Sequence, residues 1–533
     1  MDESQISEYD KFAYPSAVYA QTHPDRLATI ATLMGFEPAR ITRARVIELG
    51  CGDGNNLITM GATLPEGDFQ GVDLAVEPVR RGQQVIAGLG LKNVTLRQMN
   101  ILEAPPDLGT FDYIIAHGLY SWVPEPVREK ILAICREHLT ENGVAYISYN
   151  AYPANHLRDV ARRMMRFHAQ QFSEPTEQIR QARSFLKFLA EAKSKSGHWQ
   201  DVLRFQYERI EKYADAGFFH DDLSPMNQPF YFYEVMEAAD RHKLQFLGEA
   251  DFTEMQSSGL TDEANRVVLK IEQLNRVARE QYMDFILGRA FRQTLLCRQN
   301  HQLDRTPKPE RVFGLLAAGD VVPVSAGVNT AAPGAEDFQR GKTVIATGQP
   351  ILKSALVYLG QVWPRRVSFD ELLNKARERA GRGRAEPPLS QGQNGAMFES
   401  DRRDLAEFLI RCYGIGFVDL HTYPSTFITE ISERPIASPL ARFQVRQGPG
   451  VSSLRHLPLK VEDVLGRELL KLLDGTRDRA ALLEELGKGV KAGSTPIYSD
   501  GKPVTDPEKA LDVMAGQLEV SLANLARLGL LVG

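Results

Sequence analysis

The stretch "RVIELGCGDGNN" (residues 45–56) decides how the rest of the sequence is interpreted. Its first residues are mostly apolar and predict a buried strand, while the polar residues after the last glycine predict the start of a helix. Between them lie Gly50, Gly52 and Gly54, and glycines let a backbone turn tightly and let a ligand approach the main chain. The stretch therefore predicts a strand, a glycine-rich turn that holds a ligand, and a helix.

Further strands and helices alternate beyond this turn. The predicted strands are "DFQGVDL", "VTLRQMNI", "FDYIIAHGL" and "GVAYISYNA", and the helices between them include "EPVRRGQQVIAGLG" and "PEPVREKILAICREHL". Short apolar strands separated by helices favour a parallel sheet that is covered on both faces. The fold class is therefore predicted to be α/β, with a doubly wound sheet.

The glycine spacing and the nearby charges indicate the type of ligand. A dinucleotide fingerprint needs G-x-G-x-x-G, but the third position here is Asn55, and no Walker lysine follows. Glu48 and Asp53 add negative charge, which would repel a pyrophosphate and suits a ligand with an amine and a sulfonium. Asp73 ends the second strand, where a carboxylate can accept hydrogen bonds from a ribose. S-adenosylmethionine (SAM), a positively charged nucleoside without phosphate, fits this pattern.

In strand order, "ELGCGDGNN", "GVDL", "MNIL" and "FDYIIAHGL" resemble the motifs of class I SAM-dependent methyltransferases. The segments "AHGLYSWVP", "SYNAYP" and "FHDDLSPMNQPFYFYEVMEAADRHKLQFLGEADF" resemble bacterial members with a methyltransferase regulatory domain. That group includes the rickettsial enzymes that methylate lysines of outer-membrane proteins. The resemblance covers about residues 10–300 and implies a seven-stranded Rossmann-like core with SAM as its cofactor.

The resemblance also implies which residues contact SAM. The glycine turn would lie under the amino-acid portion, Asp73 would bind the ribose, and Leu74 would lie against the adenine. An N-terminal segment with Tyr14 and His23 would either fold over the cofactor as a lid or form a capping helix. The complete predicted cofactor set is Tyr14, His23, Glu48, Gly50, Cys51, Gly52, Asp53, Gly54, Asn55, Asn56, Asp73, Leu74, Asn100, Ile101 and His117.

The residues that follow the fourth and fifth strands are the candidates for the chemistry. Methyl transfer depends mainly on alignment of the reacting atoms, and ligands sit at the carboxyl ends of parallel strands. A lysine nucleophile must also be neutral, and desolvation in an aromatic channel lowers its pKa. The predicted catalytic set is His117, Tyr120, Trp122, Tyr149 and Asn150.

Each of these candidates keeps a second interpretation. His117 fits a general base, or a residue that shapes the pocket through a hydrogen bond. Tyr120 and Trp122 fit a substrate channel or ordinary core packing. Tyr149 and Asn150 fit substrate contact or loop hydrogen bonding. The adjacent pair His220 and Asp221 has no third ligand at a useful spacing, so a loop or helix-cap role is favoured and no metal site is predicted.

The 533 residues suggest two to four domains at roughly 150 residues each, and three are assigned along the chain. Residues 1–303 are assigned to the methyltransferase domain, with a helical insertion at about 157–228; the alternative is a separate helical domain that starts at residue 157. The apolar faces of these helices serve either core packing or a homodimer interface. Residues 304–395 are assigned to a middle α+β domain, and residues 396–533 to a mostly helical domain that a winged-helix-like fold would fit. The Gly/Pro-rich stretches "SAGVNTAAPGAEDFQRG" and "RGRAEPPLSQGQNGA" are interpreted as loops.

Composition narrows the functional classes. The net charge of −5 gives no global basic field, so nucleic acid is disfavoured as a partner. Four cysteines without a CxxC pair, no apolar leader and no long apolar run predict a cytoplasmic protein without a membrane span. The preferred function is methyl transfer from SAM to lysines of a protein acceptor. A small-molecule methyltransferase and a SAM-binding scaffold without turnover stay as alternatives.

Overall fold

The computed structural model of the chain describes residues 17–192, 197–257, 259–383, 393–499, 502–504 and 506–533. Tyr14 and most of the stretch "RGRAEPPLSQGQNGA" lie outside the described residues. The predicted domain boundaries, at residues 303 and 395, stay predictions.

A seven-stranded sheet forms the centre of the first half of the chain, as predicted. Its spatial order is β3-β2-β1-β4-β5-β7-β6, in which β1 to β5 run parallel and β7 is antiparallel to both of its neighbours. The strands are β1 (Arg45–Leu49), β2 (Asp68–Asp73), β3 (Val94–Gln98), β4 (Phe111–Ala116), β5 (Leu139–Asn150), β6 (Leu244–Glu249) and β7 (Phe291–Arg298). The strand order reverses between β1 and β4, and such a reversal opens a ligand crevice at the carboxyl ends of the strands.

Helices cover both faces of this sheet and bury its apolar strands. Val46, Ile47 and Leu49 of β1 are all fully buried, which explains why this central strand has no polar face apart from Glu48. The first helices are α1 (Pro24–Leu33), α2 (Asn55–Thr63), α3 (Val76–Leu89) and α4 (Glu125–His138).

A helical insertion separates β5 from β6 and has a small core of its own, which includes Met165, Leu186 and Phe218. It ends in a π-helical turn at Phe219–Leu223. The insertion helices are α5 (Asn155–Ala169), α6 (Pro175–Glu191), α7 (His198–Glu211) and α8 (Asp215–Phe218). The helix α9 (Phe232–Arg241) precedes β6, and α10 (Asp262–Leu274) and α11 (Arg276–Leu287) lie between β6 and β7 in the sequence.

The middle region contains two small sheets and three helices. Its strands are β8 (Leu316–Ala318), β9 (Val322–Pro323), β10 (Glu336–Arg340), β11 (Thr343–Thr347), β12 (Val367–Ser368) and β13 (Asp419–His421). Its helices are α12 (Pro350–Val362), α13 (Phe369–Arg379) and α14 (Gln393–Gly414). The interpretation of "SAGVNTAAPGAEDFQRG" as a loop is wrong at its end, because Glu336–Arg340 pairs with β11 and buries Phe338.

The last region packs helices and short hairpins around a third core, which includes Leu469, Leu522 and Leu531. Its elements are α15 (Pro439–Gln444), β14 (Gly450–Ser452), β15 (Pro458–Lys460), α16 (Val464–Leu472), α17 (Arg479–Lys491), β16 (Tyr498–Ser499), β17 (Lys502–Pro503) and α18 (Pro507–Arg527). Within the described ranges, no helix combines the length and the apolar character that crossing a membrane requires.

Candidate functional site

A cavity of about 210 Å³ opens at the carboxyl ends of β1, β2 and β4, where the strand order reverses. Its wall consists of the glycine turn, the ends of these strands, the segment before α1 and the π-helical turn of the insertion. The lining residues are Ala17, Tyr19, Glu48, Gly50, Cys51, Gly52, Asp53, Asn55, Asn56, Asp73, Leu74, Ala75, Pro78, Arg81, His117, Gly118, Leu119, Trp122, His220 and Asp221.

The glycine turn has the backbone conformation that only glycine adopts readily. Gly50, Gly52 and Gly54 have φ angles of 74°, 57° and 69°. A side chain at Gly54 would clash with Leu96, whereas at Gly52 it would meet no protein atom within 4 Å. Gly54 therefore seats the start of α2 without lining the cavity, and Gly52 leaves the space in which a ligand can reach the main chain.

Asp73 holds the turn from the neighbouring strand. Its carboxylate accepts hydrogen bonds from the backbone N–H groups of Gly52 and Ala75, each at 2.8 Å. Burial raises the pKa of Asp73, although the backbone hydrogen bonds oppose this shift. The carboxylate lines the cavity next to Leu74, in the position that a ribose acceptor would occupy.

Glu48 and Asn56 form a buried polar pair beneath the turn. Asn56 donates to Glu48 Oε1 at 3.0 Å and to Thr22 Oγ1 at 2.9 Å. Within the part of the chain that the structure describes, Glu48 Oε2 is buried without a hydrogen-bond partner, and burial raises the pKa of Glu48 to about 8. An unpartnered acceptor beside an open glycine turn fits the cationic amino group of SAM.

His117 and Tyr19 form the opposite wall. Their rings lie 4.0 Å apart, and His117 Nδ1 lies 3.0 Å from the Tyr146 hydroxyl and 3.3 Å from Ser148 Oγ. Burial lowers the pKa of His117 to about 4, so its ring is neutral at pH 7. This geometry favours the interpretation of His117 as a residue that shapes the pocket through hydrogen bonds.

The insertion contributes two residues that sequence reasoning assigned to a loop. His220 and Asp221 line the cavity together with Trp122. Burial raises the pKa of Asp221 to about 6, since the nearby arginines only partly offset it. Their run "FFHDDL" stood out in the sequence, but only the fold of the insertion places it at this cavity.

The other aromatic candidates point elsewhere. Tyr120 packs against Phe230 and Tyr149, and the Tyr149 hydroxyl lies 3.1 Å from Thr294 Oγ1 inside the core. Asn150 is buried and donates to Asn227 at 2.8 Å. Alternate residues of a strand face opposite sides, so the face that carries Ser148 to His117 turns Tyr149 away. These positions do not support direct contact of Tyr120, Tyr149 or Asn150 with an acceptor.

Three predicted cofactor residues also lie off the cavity wall. His23 caps α1, where its Nδ1 accepts from the backbone N–H of Asp25 at 3.1 Å, and its ring faces the C-terminal third of the chain. This matches the capping alternative. Asn100 caps a short turn by accepting from Leu102 at 3.1 Å, and Ile101 is buried behind it.

Three family models match the chain. "Methyltransferase domain" matches residues 46–143, "Predicted methyltransferase regulatory domain" matches residues 214–298, and "PKMT, C-terminal winged helix domain" matches residues 433–530. The last match confirms the expected winged-helix-like fold.

Relatives match the chain over different lengths. An uncharacterized protein of Rickettsia prowazekii is 29% identical over 511 residues, which cover 94% of this chain and 89% of that protein. A second uncharacterized protein of the same organism is 34% identical over 240 residues, which cover 45% of this chain and 96% of that protein. The structure of PKMT2 from Rickettsia typhi in complex with AdoHcy is 26% identical, with a TM-score of 0.85, and the match covers 98% of this chain and 100% of that one. The chain belongs to the class I SAM-dependent methyltransferases. Its cofactor is SAM, as predicted.

Different residues of the cavity wall would hold different parts of SAM. The glycine turn and Glu48 would hold the amino-acid portion, and Asp73 would hold the ribose. When bound, SAM supplies an activated methyl group. Asp73 fixes the turn through its hydrogen bond from Gly52, and Tyr19, Trp122 and Asp221 line the rest of the cavity.

Proposed function

We propose that the methyltransferase transfers methyl groups to lysine side chains of a protein acceptor. The observation behind this proposal is the Asp221 carboxylate, which lines the SAM cavity together with Trp122 and His117. A carboxylate next to aromatic rings suits a cationic amine on an aliphatic stem, because the rings contact the methylenes and the carboxylate accepts from the ammonium.

The same wall favours the reactive form of the amine. Methylation requires a neutral nitrogen, and burial among aromatic rings lowers the pKa of a lysine. Burial also raises the pKa of Asp221 to about 6, which makes its carboxylate a stronger proton acceptor than an ordinary aspartate. The similarity to PKMT2 and to the PKMT winged helix domain supports a protein acceptor.

The test is a labelling experiment. Purified protein is incubated with methyl-labelled SAM and cell-envelope proteins of the source organism, with Asp73→Ala as the control that cannot hold SAM. We expect label in protein bands, on lysine by mass spectrometry. Label only in small molecules would replace the proposal with a small-molecule methyltransferase. Absence of label despite measured SAM binding would favour the scaffold alternative.

We also propose that a second copy of the chain packs against the insertion. Its helices expose large aromatic side chains, with Phe167, Phe188 and Phe205 exposed by 68%, 62% and 61%. We expect a dimer in light scattering that Phe188→Ser together with Phe205→Ser converts to a monomer. Leu274→Ser, which changes an exposed leucine on α10, is the matched control and should leave the dimer intact. A wild-type monomer would remove this part of the proposal.

A further inference from the structure

A second cavity, of about 200 Å³, lies where the segment before α1 meets the middle and C-terminal regions. Its wall is rich in charged side chains. The charged lining residues are Arg26, Arg340, Arg366, Arg455, Asp25 and Asp419. Four arginines face two aspartates, so the cavity carries an excess of positive charge.

The two aspartates already have hydrogen-bond and ion-pair partners within the protein. Asp25 accepts from His421 Nδ1 at 2.6 Å and from the backbone and hydroxyl of Thr422 at 2.7 and 2.9 Å, and Arg366 lies 3.6 Å from it. Asp419 accepts from Arg340 at 2.6 Å. Arg340 and Arg366 are therefore neutralised within the protein.

The remaining two arginines make no direct ion pair in the described part of the chain, although burial is outweighed by the charges of Asp419, Asp251 and Asp25, which raise the pKa of Arg26. Among the described residues, neither Arg26 nor Arg455 has a side-chain hydrogen bond or an ion pair; Arg455 only stacks over Trp363, with its guanidinium carbon 4.7 Å from the ring centroid. The hydroxyl of Tyr413, another lining residue, is buried without a partner in the same described part. Four guanidinium groups share only two carboxylates on this wall, so the cavity has unfilled capacity for an anion.

We propose that this cavity binds a phosphate-class oxyanion, either free phosphate or a phosphoryl group on a small molecule. Arg26 comes from the methyltransferase domain and Arg455 from the winged-helix region, so one anion would join the two. Planar guanidinium groups donate in a fork that matches phosphate oxygens, and the Tyr413 hydroxyl is a further donor. The volume suits a compact anion, and the site is separate from the SAM cavity.

Binding is measured by calorimetry on the full chain, with inorganic phosphate and glycerol phosphate as separate probes and chloride at equal ionic strength as the background. Arg26→Gln and Arg455→Gln each remove one unpaired charge, and circular dichroism reports whether each variant folds. Arg446→Gln, an exposed arginine outside the cavity, is the matched control.

We expect saturable binding of at least one probe, weakened tenfold or more in Arg26→Gln and in Arg455→Gln and unchanged in Arg446→Gln. Preference for glycerol phosphate would assign the site to a phosphoryl group on an organic molecule, and equal or better binding of inorganic phosphate to the free ion. Absence of saturable binding for both probes would overturn the proposal. So would binding that survives both cavity substitutions.

Discussion

The SAM cavity and the arginine-rich cavity have nearly the same size, about 210 and 200 Å³, but they are assembled in opposite ways. Most of the SAM cavity comes from residues 48–122, whose strands and turns are neighbours in sequence. The arginine-rich cavity depends on distant contacts, such as the hydrogen bond between His421 and Asp25, which are 396 positions apart. Turn chemistry produces the first cavity, and the docking of regions produces the second.

The two cavities also differ in the sign of the charge on their walls. Asp53, Asp73 and Asp221 make the SAM cavity acidic, which suits a cationic cofactor and a cationic acceptor. The other cavity is basic and suits an anion. Charge alone would therefore direct a sulfonium ligand to the SAM cavity and a phosphate to the arginine-rich cavity, although the two cavities have similar volumes.

The largest expected effect is that of Asp73→Ala on the SAM cavity. The substitution removes the hydrogen bonds that Asp73 accepts from Gly52 in the turn and from Ala75 after β2, along with the predicted ribose acceptor. Hydrogen bonds to a charged group contribute about 1.5–3 kcal/mol each, so SAM affinity should fall about 100-fold or more by calorimetry. Asp68→Ala, at the exposed start of the same strand, should bind normally. Unchanged affinity in Asp73→Ala would remove the assignment of this cavity to SAM.

The next effect concerns the acceptor side of the same cavity. Asp221→Asn should lower protein methylation about 10- to 100-fold while SAM affinity stays unchanged, because only the proton acceptor is lost. Burial raises the pKa of Asp221 to about 6, so wild-type activity should fall as the pH drops through 6, and the variant should lack this limb. Asp215→Asn, at an exposed carboxylate of the same insertion, is the control.

Stability separates this loss of activity from unfolding. A carboxyl whose pKa is higher in the folded than in the unfolded state costs stability once the pH exceeds the unfolded value, and the full cost is reached above about pH 6. Asp221→Asn should therefore be at least as stable as the wild type at pH 7.5 in thermal unfolding. Lower stability would assign Asp221 a structural role.

A smaller effect tests the glycine turn. Gly52→Ala and Gly90→Ala both place a side chain at positive φ, 57° and 68°, where neither would meet a protein atom within 4 Å. Both should lose about 1–2 kcal/mol of stability from backbone strain. Only Gly52 lines the SAM cavity, so only Gly52→Ala should also weaken SAM binding, about tenfold. Equal SAM affinities for the two variants would mean that the ligand does not approach the turn.

The features that sequence predicted correctly are the local ones. The five parallel strands and the helices between them follow from periodicity and glycine placement within a few residues. The side chains of Glu48 and Asp73 line the cavity because they end strands at the edge where ligands bind.

The features that sequence missed depend on which way an element faces. Ser148 and Tyr149 are adjacent, yet only Ser148 points to His117. Because the strand is buried on both faces, its sequence has no polar–apolar alternation that would show which of the two residues faces the cavity. His23 turns to the C-terminal third because Asp25, two residues on, is bound by His421. Asp221 reaches the SAM cavity only through the packing of the insertion. The homodimer and the cytoplasmic location stay predictions.

The smallest expected effect tests whether the two cavities communicate. His456 lines the arginine-rich cavity, and its Nε2 donates to Oδ1 of Asn56, a lining residue of the SAM cavity, at 2.8 Å. Burial holds the pKa of His456 well below its ordinary value, so it acts as a neutral donor. His456→Ala should weaken SAM binding about fivefold by calorimetry, because one buried hydrogen bond contributes about 1 kcal/mol.

The matched variant for this test is His456→Asn. His456 has a φ of 57°, a conformation that asparagine tolerates better than most residues, so this variant keeps a polar side chain without adding backbone strain. It should bind SAM more tightly than His456→Ala. If both variants bind SAM like the wild type, the hydrogen bond to Asn56 carries no coupling, and the two cavities are independent sites that share only a wall of the fold.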